Sequence, residues 1–108
     1  MQPKTINIAR DFGRYPAGRY AKDGPFSGEE FRNRFLTPAL KQADAKTVVE
    51  FDGARGLASS FLEEAFGGLV RQGFSPDAVR SHLILQSKDP SVLEEIEEYI
   101  NEQAALAH

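Results

Sequence analysis

Ser59 and Ser60 are the first residues whose type and spacing suggest chemistry. Ser60-Phe61-Leu62-Glu63 has the spacing of a capping box, in which the hydroxyl accepts a backbone amide proton and the Glu carboxylate reaches back. A serine in that role satisfies an orphan helix-terminal amide, and its loss costs about 1 kcal/mol. The same position suits a phosphate, because the helix N-terminus is the positive end of the dipole and phosphorylation adds about −1.5 to −2 charge. Ser60 therefore reads either as a cap alone or as a cap that also takes a phosphate. Hydrolytic chemistry would need Ser60, His82 and Asp52 to meet, and nothing in their spacing brings them together. With two histidines, His82 and His108, and no cysteine, the chain carries no metal-ligand motif and no thiol. No glycine-rich phosphate loop is present, since Gly67-Gly68 falls inside a helical pattern. Paired carboxylates at Glu29-Glu30, at Glu63-Glu64 and along the last helix read as solvated helix faces. The expectation is no catalytic residue, no cofactor, no metal and no enzymatic activity.

A second constellation lies near the N-terminus. Arg10, Arg14 and Arg19 interleave with Phe12, Tyr15 and Tyr20. Such interleaving binds single-stranded nucleic acid by stacking and charge. Here Asp11 and Asp23 dilute it, and the net charge of −3 opposes a polyanion. The segment is therefore expected to pack as a surface loop, with a small nucleic-acid-associated protein as the alternative function. Charge is nonetheless uneven. Residues 1–46 carry nine Lys/Arg and five Asp/Glu, while residues 47–108 carry four and eleven. Either the acid sits on a solvated C-terminal helix, or the basic N-terminal part offers a face to an acidic partner.

The elements that would position these residues follow from periodicity. Residues 5–11 begin with the alternation Ile6, Ile8 and read as a half-buried strand. Gly13, Pro16–Gly18 and Asp23-Gly24 mark turns, with a short second strand around residues 19–22. Ser27-Gly28-Glu29-Glu30 is a capping box opening a helix, with Phe26 and Phe31 as its hydrophobic staple. Pro38 is expected to kink or break that helix. Residues 47–52 form the strongest strand, carrying Val48, Val49 and Phe51. The loop 54–59 leads to a helix over about 60–72, whose stripe is Phe61, Leu62, Ala65, Phe66, Leu69 and Val70. Gly67 and Gly68 lie off that stripe at a cost of about 1 kcal/mol each. They imply close packing, either of the chain on itself or of a partner. Ser75-Pro76 starts a short helical turn, residues 82–86 a strand, and Asp89-Pro90 the last helix, with Val92, Leu93, Ile96, Tyr99 and Ile100 on its apolar side. The order β–(β)–α–β–α–β–α predicts one α/β domain over residues 1–108. Its sheet is expected to be small, four-stranded, mixed or mostly parallel, with about three to four helices concentrated on one face.

The segment VVEFDGARGLASSFLEEAFGGLV, residues 48–70, resembles the sulfate-transporter and anti-sigma-factor-antagonist (STAS) domains. These present a strand, a short loop and an Asp-Ser-Ser-Gly helix start. On that pattern Ser59 and Ser60 match the serines, Ala58 stands at the Asp and Phe61 at the Gly. IARDFGRYPAGRYAKDG, SGEEFR and SSFLEEAFGGL together resemble the bacterial STAS-like domains of uncharacterised function, over most of residues 5–87. The resemblance implies a non-enzymatic signalling or adaptor domain whose partner is a histidine-kinase-like ATPase. It further implies phosphorylation of a helix-start serine, Ser60 or Ser59. The partner-binding face would be Arg55, Gly56, Leu57, Ser59, Ser60, Glu63, Glu64, Gly67 and Gly68. No apolar run approaches the roughly 18–20 residues that span a bilayer. The N-terminal residues lack the apolar stretch of a signal peptide, so a cytoplasmic location is expected.

Overall fold

Three short strands, β1 (Lys4–Asn7), β2 (Thr47–Glu50) and β3 (Leu83–Gln86), pair side by side in the order β1-β2-β3. Both pairings are parallel, with Ile6 opposite Val49 and Val49 opposite Leu85. These strands belong to a computed structural model that describes residues 4–42 and 45–106. Among the described residues four helices pack with the sheet. They are α1 over 28–41, α2 over 59–71, α3 (Pro76–His82) and α4 (Pro90–Leu106). A π-helical turn, Ile8–Phe12, follows β1 and brings the helical segments to about five.

The first strand is shorter than the alternation predicts. Asn7 ends it, because its side-chain oxygen accepts the Arg10 amide at 2.9 Å while Asp11 accepts the Asn7 amide at 2.8 Å. These reciprocal bonds offer the backbone an alternative to the ladder and turn it into a helical coil. The coil drops Ile8 and Phe12 into the core. The expected strand at 19–22 is instead a single 3-10 turn, Ala21–Asp23, held by the Tyr20 amide on Asp23 at 3.0 Å. The sheet among the described residues therefore has three strands rather than four.

Ser27 caps α1 as expected, its hydroxyl accepting the Glu30 amide at 3.2 Å. Phe26 and Phe31 both pack on Phe12, at ring separations of 5.7 and 5.2 Å. Pro38 does not end the helix. A π-helical turn, Arg32–Leu36, precedes it, and that widened backbone accommodates a residue that lacks an amide and crowds the preceding turn. Ser75 caps α3 through the Ala78 amide at 3.1 Å, with Pro76 as its first residue. Asp89 caps α4 by accepting the amide and the hydroxyl of Ser91 at 3.0 and 2.6 Å.

Sequential strand order with parallel pairing sends both crossovers the same way. Right-handed connections then place their helices on one face. That face carries buried Ile6, Val49 and Leu83, whereas Ile84 in the row Thr5–Val48–Ile84 of the opposite face is 38% exposed. Helix α2 lies between α1 and α4, with Phe61, Leu62, Ala65, Phe66, Leu69 and Val70 all buried. Close approach of α1 and α2 is set at Gly28, where a Cβ atom would stand 2.5 Å from the Phe61 carbonyl oxygen. Among the described residues no helix is long and apolar enough to cross a membrane.

Candidate functional site

The parallel strands end at a common edge, where α/β sheets present their ligand sites. β2 runs into this edge through Phe51, whose amide donates to the Gln86 carbonyl at 3.0 Å. The chain then forms a ridge over residues 52–58. Asp52 accepts the Lys88 amide at 2.9 Å, which ties the ridge to the end of β3. Gly53, at φ +98°, packs against the coil after β1, and a Cβ there would lie 3.2 Å from that of Ala9. The Arg55 amide donates to the Arg14 carbonyl at 2.8 Å. Gly56 takes a second left-handed conformation, at φ +66°.

The helix after the ridge begins earlier than the capping-box spacing predicts. Ala58 is the N-cap, in extended conformation, and its carbonyl accepts the Leu62 amide at 3.1 Å. Ser59 and Ser60 are the first two helical residues, so the box from Ser60 to Glu63 is not formed. An alanine cannot bond the first-turn amides, which are left without a side-chain acceptor. Ser59 is exposed and Ser60 half-buried at the rim. The Ser59 hydroxyl lies near that of Tyr99, which donates to Glu95 at 2.7 Å. Burial chiefly, with Glu95 and against Ser59, pushes the Tyr99 hydroxyl up from its usual value.

Two hollows flank the ridge. One, of about 300 Å³, lies toward β3 and α4, and its lining includes Gly56, Leu57, Ser87, Asp52, Asp89 and Glu95. The other, of about 580 Å³, lies toward β1, between Asn7, Arg10, Arg14, Tyr15, Gly53 and Arg55. The ridge thus separates an acidic hollow from a basic groove.

The rest of the expected partner face is elsewhere engaged. Glu63 and Glu64 are not a solvated pair. Glu64 is 7% exposed, and its carboxylate accepts from Arg32 at 2.5 Å and from Arg71 at 3.1 Å. Arg32, 6% exposed, also donates to the Glu64 carbonyl at 2.8 Å, while its Nε has no hydrogen-bond partner. Glu63 takes hydrogen bonds from Arg71, at 2.5 and 3.2 Å, and from Arg19. Burial pushes the Glu63 carboxyl up, but the bonds from Arg71 and Arg19 outweigh it and hold it below the usual carboxylate range. Gly67 and Gly68 are both buried and supply the space. A Cβ at Gly67 would stand 2.6 Å from the Glu63 carboxylate, and one at Gly68 would collide with the Arg32 guanidinium. The glycines make room for the chain's own Glu63 and Arg32 side chains.

The structure thus brings together Arg55, Gly56, Leu57, Ser59 and Ser60 at the sheet edge, and assigns Glu63, Glu64, Gly67 and Gly68 to an internal charge cluster. Sequence reading missed Arg32, Arg71 and Arg19 as partners of that cluster. A signal was present, since each glycine follows a glutamate by four residues and so shares its helix face. The arginine–aromatic series is dispersed. Arg19 bonds Glu63 and Phe12 is buried, while Arg10, Arg14 and Tyr15 line the groove. That removes two members from the nucleic-acid reading. Among the described residues no group of three or more metal-ligating side chains is arranged to hold an ion.

A three-stranded parallel sheet, helices collected on one face and a strand–ridge–serine–helix edge define a STAS-like α/β domain. The profile of the family described as "STAS-like domain of unknown function (DUF4325)" matches residues 27–93, and the chain belongs to that family. No curated protein matches the chain, and no solved structure does.

Proposed function

We propose that this chain is a non-enzymatic signalling or adaptor domain of the cytoplasm. It binds a protein partner, a histidine-kinase-like ATPase by likeness to the STAS antagonists, through the ridge and helix start formed by Arg55, Gly56, Leu57, Ser59 and Ser60. The observation that carries this reading is the serine pair itself. It stands at the rim where the parallel strands end, in the first turn of a helix whose N-cap alanine leaves the amides without a side-chain acceptor. Phosphate on Ser60 would sit at the positive end of α2 and make charge-assisted bonds to those amides. It would add charge to the partner face without opening the core, because Phe61 and Leu62, the next residues, already fill it. Titration against a candidate ATPase of that type tests the reading. Ser60→Asp is expected to weaken binding while Ser60→Ala keeps it, and equal affinity of the two variants would remove the switch.

A further inference from the structure

The basic groove beside the ridge has features of a binding site in its own right. Asn7 closes its floor at the end of β1, and Gly53 forms one wall without a side chain. Arg14 and Arg55 come from loops and lie 41 residues apart in sequence, yet the bond from the Arg55 amide to the Arg14 carbonyl fixes them side by side. Arg10 is committed to Asp11, with contacts of 2.9 and 3.0 Å. Among the described residues no hydrogen bond or ion pair engages the guanidinium of Arg14 or of Arg55, and both residues are exposed. Tyr15, 65% exposed, completes the lining. Every other arginine apart from Arg34 carries an ion pair, and Arg34 lies over the rings of Phe12 and Phe35. The two guanidiniums left without a partner therefore share one concave surface.

We infer that this groove takes an anionic segment of the protein partner, with Arg14 and Arg55 as the forks that grip its carboxylate or phosphate oxygens and Tyr15 as an apolar wall. Guanidinium forks match both oxyanions in bidentate geometry. The charge around the groove selects a short segment over a nucleic acid. Asp52 is in its lining, Asp11 pairs with Arg10, Glu50 accepts from Asn7 at 3.4 Å, and the acidic hollow with Asp89 and Glu95 begins across the ridge. An extended phosphate backbone leaving the groove would run against those carboxylates, whereas two or three anionic side chains fit between them. One exposed aromatic ring is also too few for the successive stacking that single-strand binding uses. The inference deepens the proposed function by naming the chemistry of the partner's segment, and it rests on that reading for the segment's protein origin.

Fluorescence anisotropy with four labelled probes tests it on the full chain: an octapeptide rich in Asp and Glu, the same length carrying two phosphoserines, a Gln-substituted control, and an oligo-dT strand. Both anionic peptides or one of them should bind, which tells carboxylate from phosphate recognition, and the Gln control should not. Arg14→Glu and Arg55→Glu should each weaken binding by about tenfold or more, while Lys41→Glu, the same charge change at the exposed end of α1, should leave it within about twofold. Circular dichroism melts verify that the variants fold. Absence of anionic-peptide binding, equal binding by the Gln control, oligo-dT binding as tight as the peptides, or equal loss in Lys41→Glu would each overturn the inference. The Ser60 titration is separate. A split between Ser60→Asp and Ser60→Ala with no peptide binding would discard the groove and keep the proposed function, and peptide binding without that split would do the reverse.

Discussion

Arg32 and Glu64 form a buried pair whose side chains are 7% and 9% exposed, and removing one partner strands the other's charge away from water. Glu64→Ala is expected to lose about 3–5 kcal/mol in a urea titration. The double change Arg32→Met/Glu64→Leu should lose much less than the sum, because neither charge then remains. The glycines behave unequally for the same reason. Ala in place of Gly68 gains roughly 1 kcal/mol of helix propensity but must displace a guanidinium held by two hydrogen bonds, so the net change is a loss. At Gly67 the obstacle is the Glu63 carboxylate, which Arg71 and Arg19 hold in place, so Gly67→Ala should likewise lower the melting midpoint, by less than Gly68→Ala because Glu63 is less buried than Arg32. Glu63 sets an acid limit. Its folded-state pKa lies below the unfolded value, so its contribution is complete above about pH 4.3 and disappears as the pH falls through the lower, folded value. Arg71→Ala should shrink that acid-sensitive part of a pH-dependent melt.

At the scale of the element, α2 shows what a sequence makes legible and what it does not. Its buried stripe follows from a period of 3.6 residues and is found where the apolar residues recur. Its start does not follow, because the capping-box spacing at Ser60 competes with a helix that begins earlier on the Ala58 carbonyl. Ala58→Asp places an acceptor at the N-cap and should raise stability by about 1 kcal/mol, read as an upward shift of the melting midpoint. The first strand is shorter than its alternation predicts for a similar reason, since Asn7 and Asp11 bond the local backbone in a way that alternation alone does not report. The Arg–Glu cluster was invisible as a cluster because Arg32 and Arg19 lie 32 and 45 residues from Glu64. Only the glutamate–glycine spacing on α2 hinted that its supposed wet face was packed.

For the whole molecule, strand order decides which surfaces are available. Sequential parallel strands with same-handed crossovers leave one sheet face without helices, so the row Thr5–Val48–Ile84 meets solvent more than its counterpart Ile6–Val49–Leu85 does. Ile84→Thr is expected to change stability by less than about 0.5–1 kcal/mol in chemical denaturation. Val49→Ala on the covered face should cost about 2 kcal/mol or more, being fully enclosed. The same topology collects the three strand ends at one rim, so that loops from the N-terminal region, the middle and the end of the chain all reach it. The family-level fold is legible in the middle of the chain, whereas the groove is not, because the first and second of those loops meet only through tertiary contact.

The grip of Arg32 on both the carbonyl and the carboxylate of Glu64 acts as a bolt through two neighbouring rods. With Gly28 seated against the Phe61 carbonyl one turn away, neither α1 nor α2 can roll or slide without shearing several contacts together. The layer behind the rim is thus a fixed anvil, and the left-handed glycines at 53 and 56 lie in the ridge in front of it, outside that bolted pair.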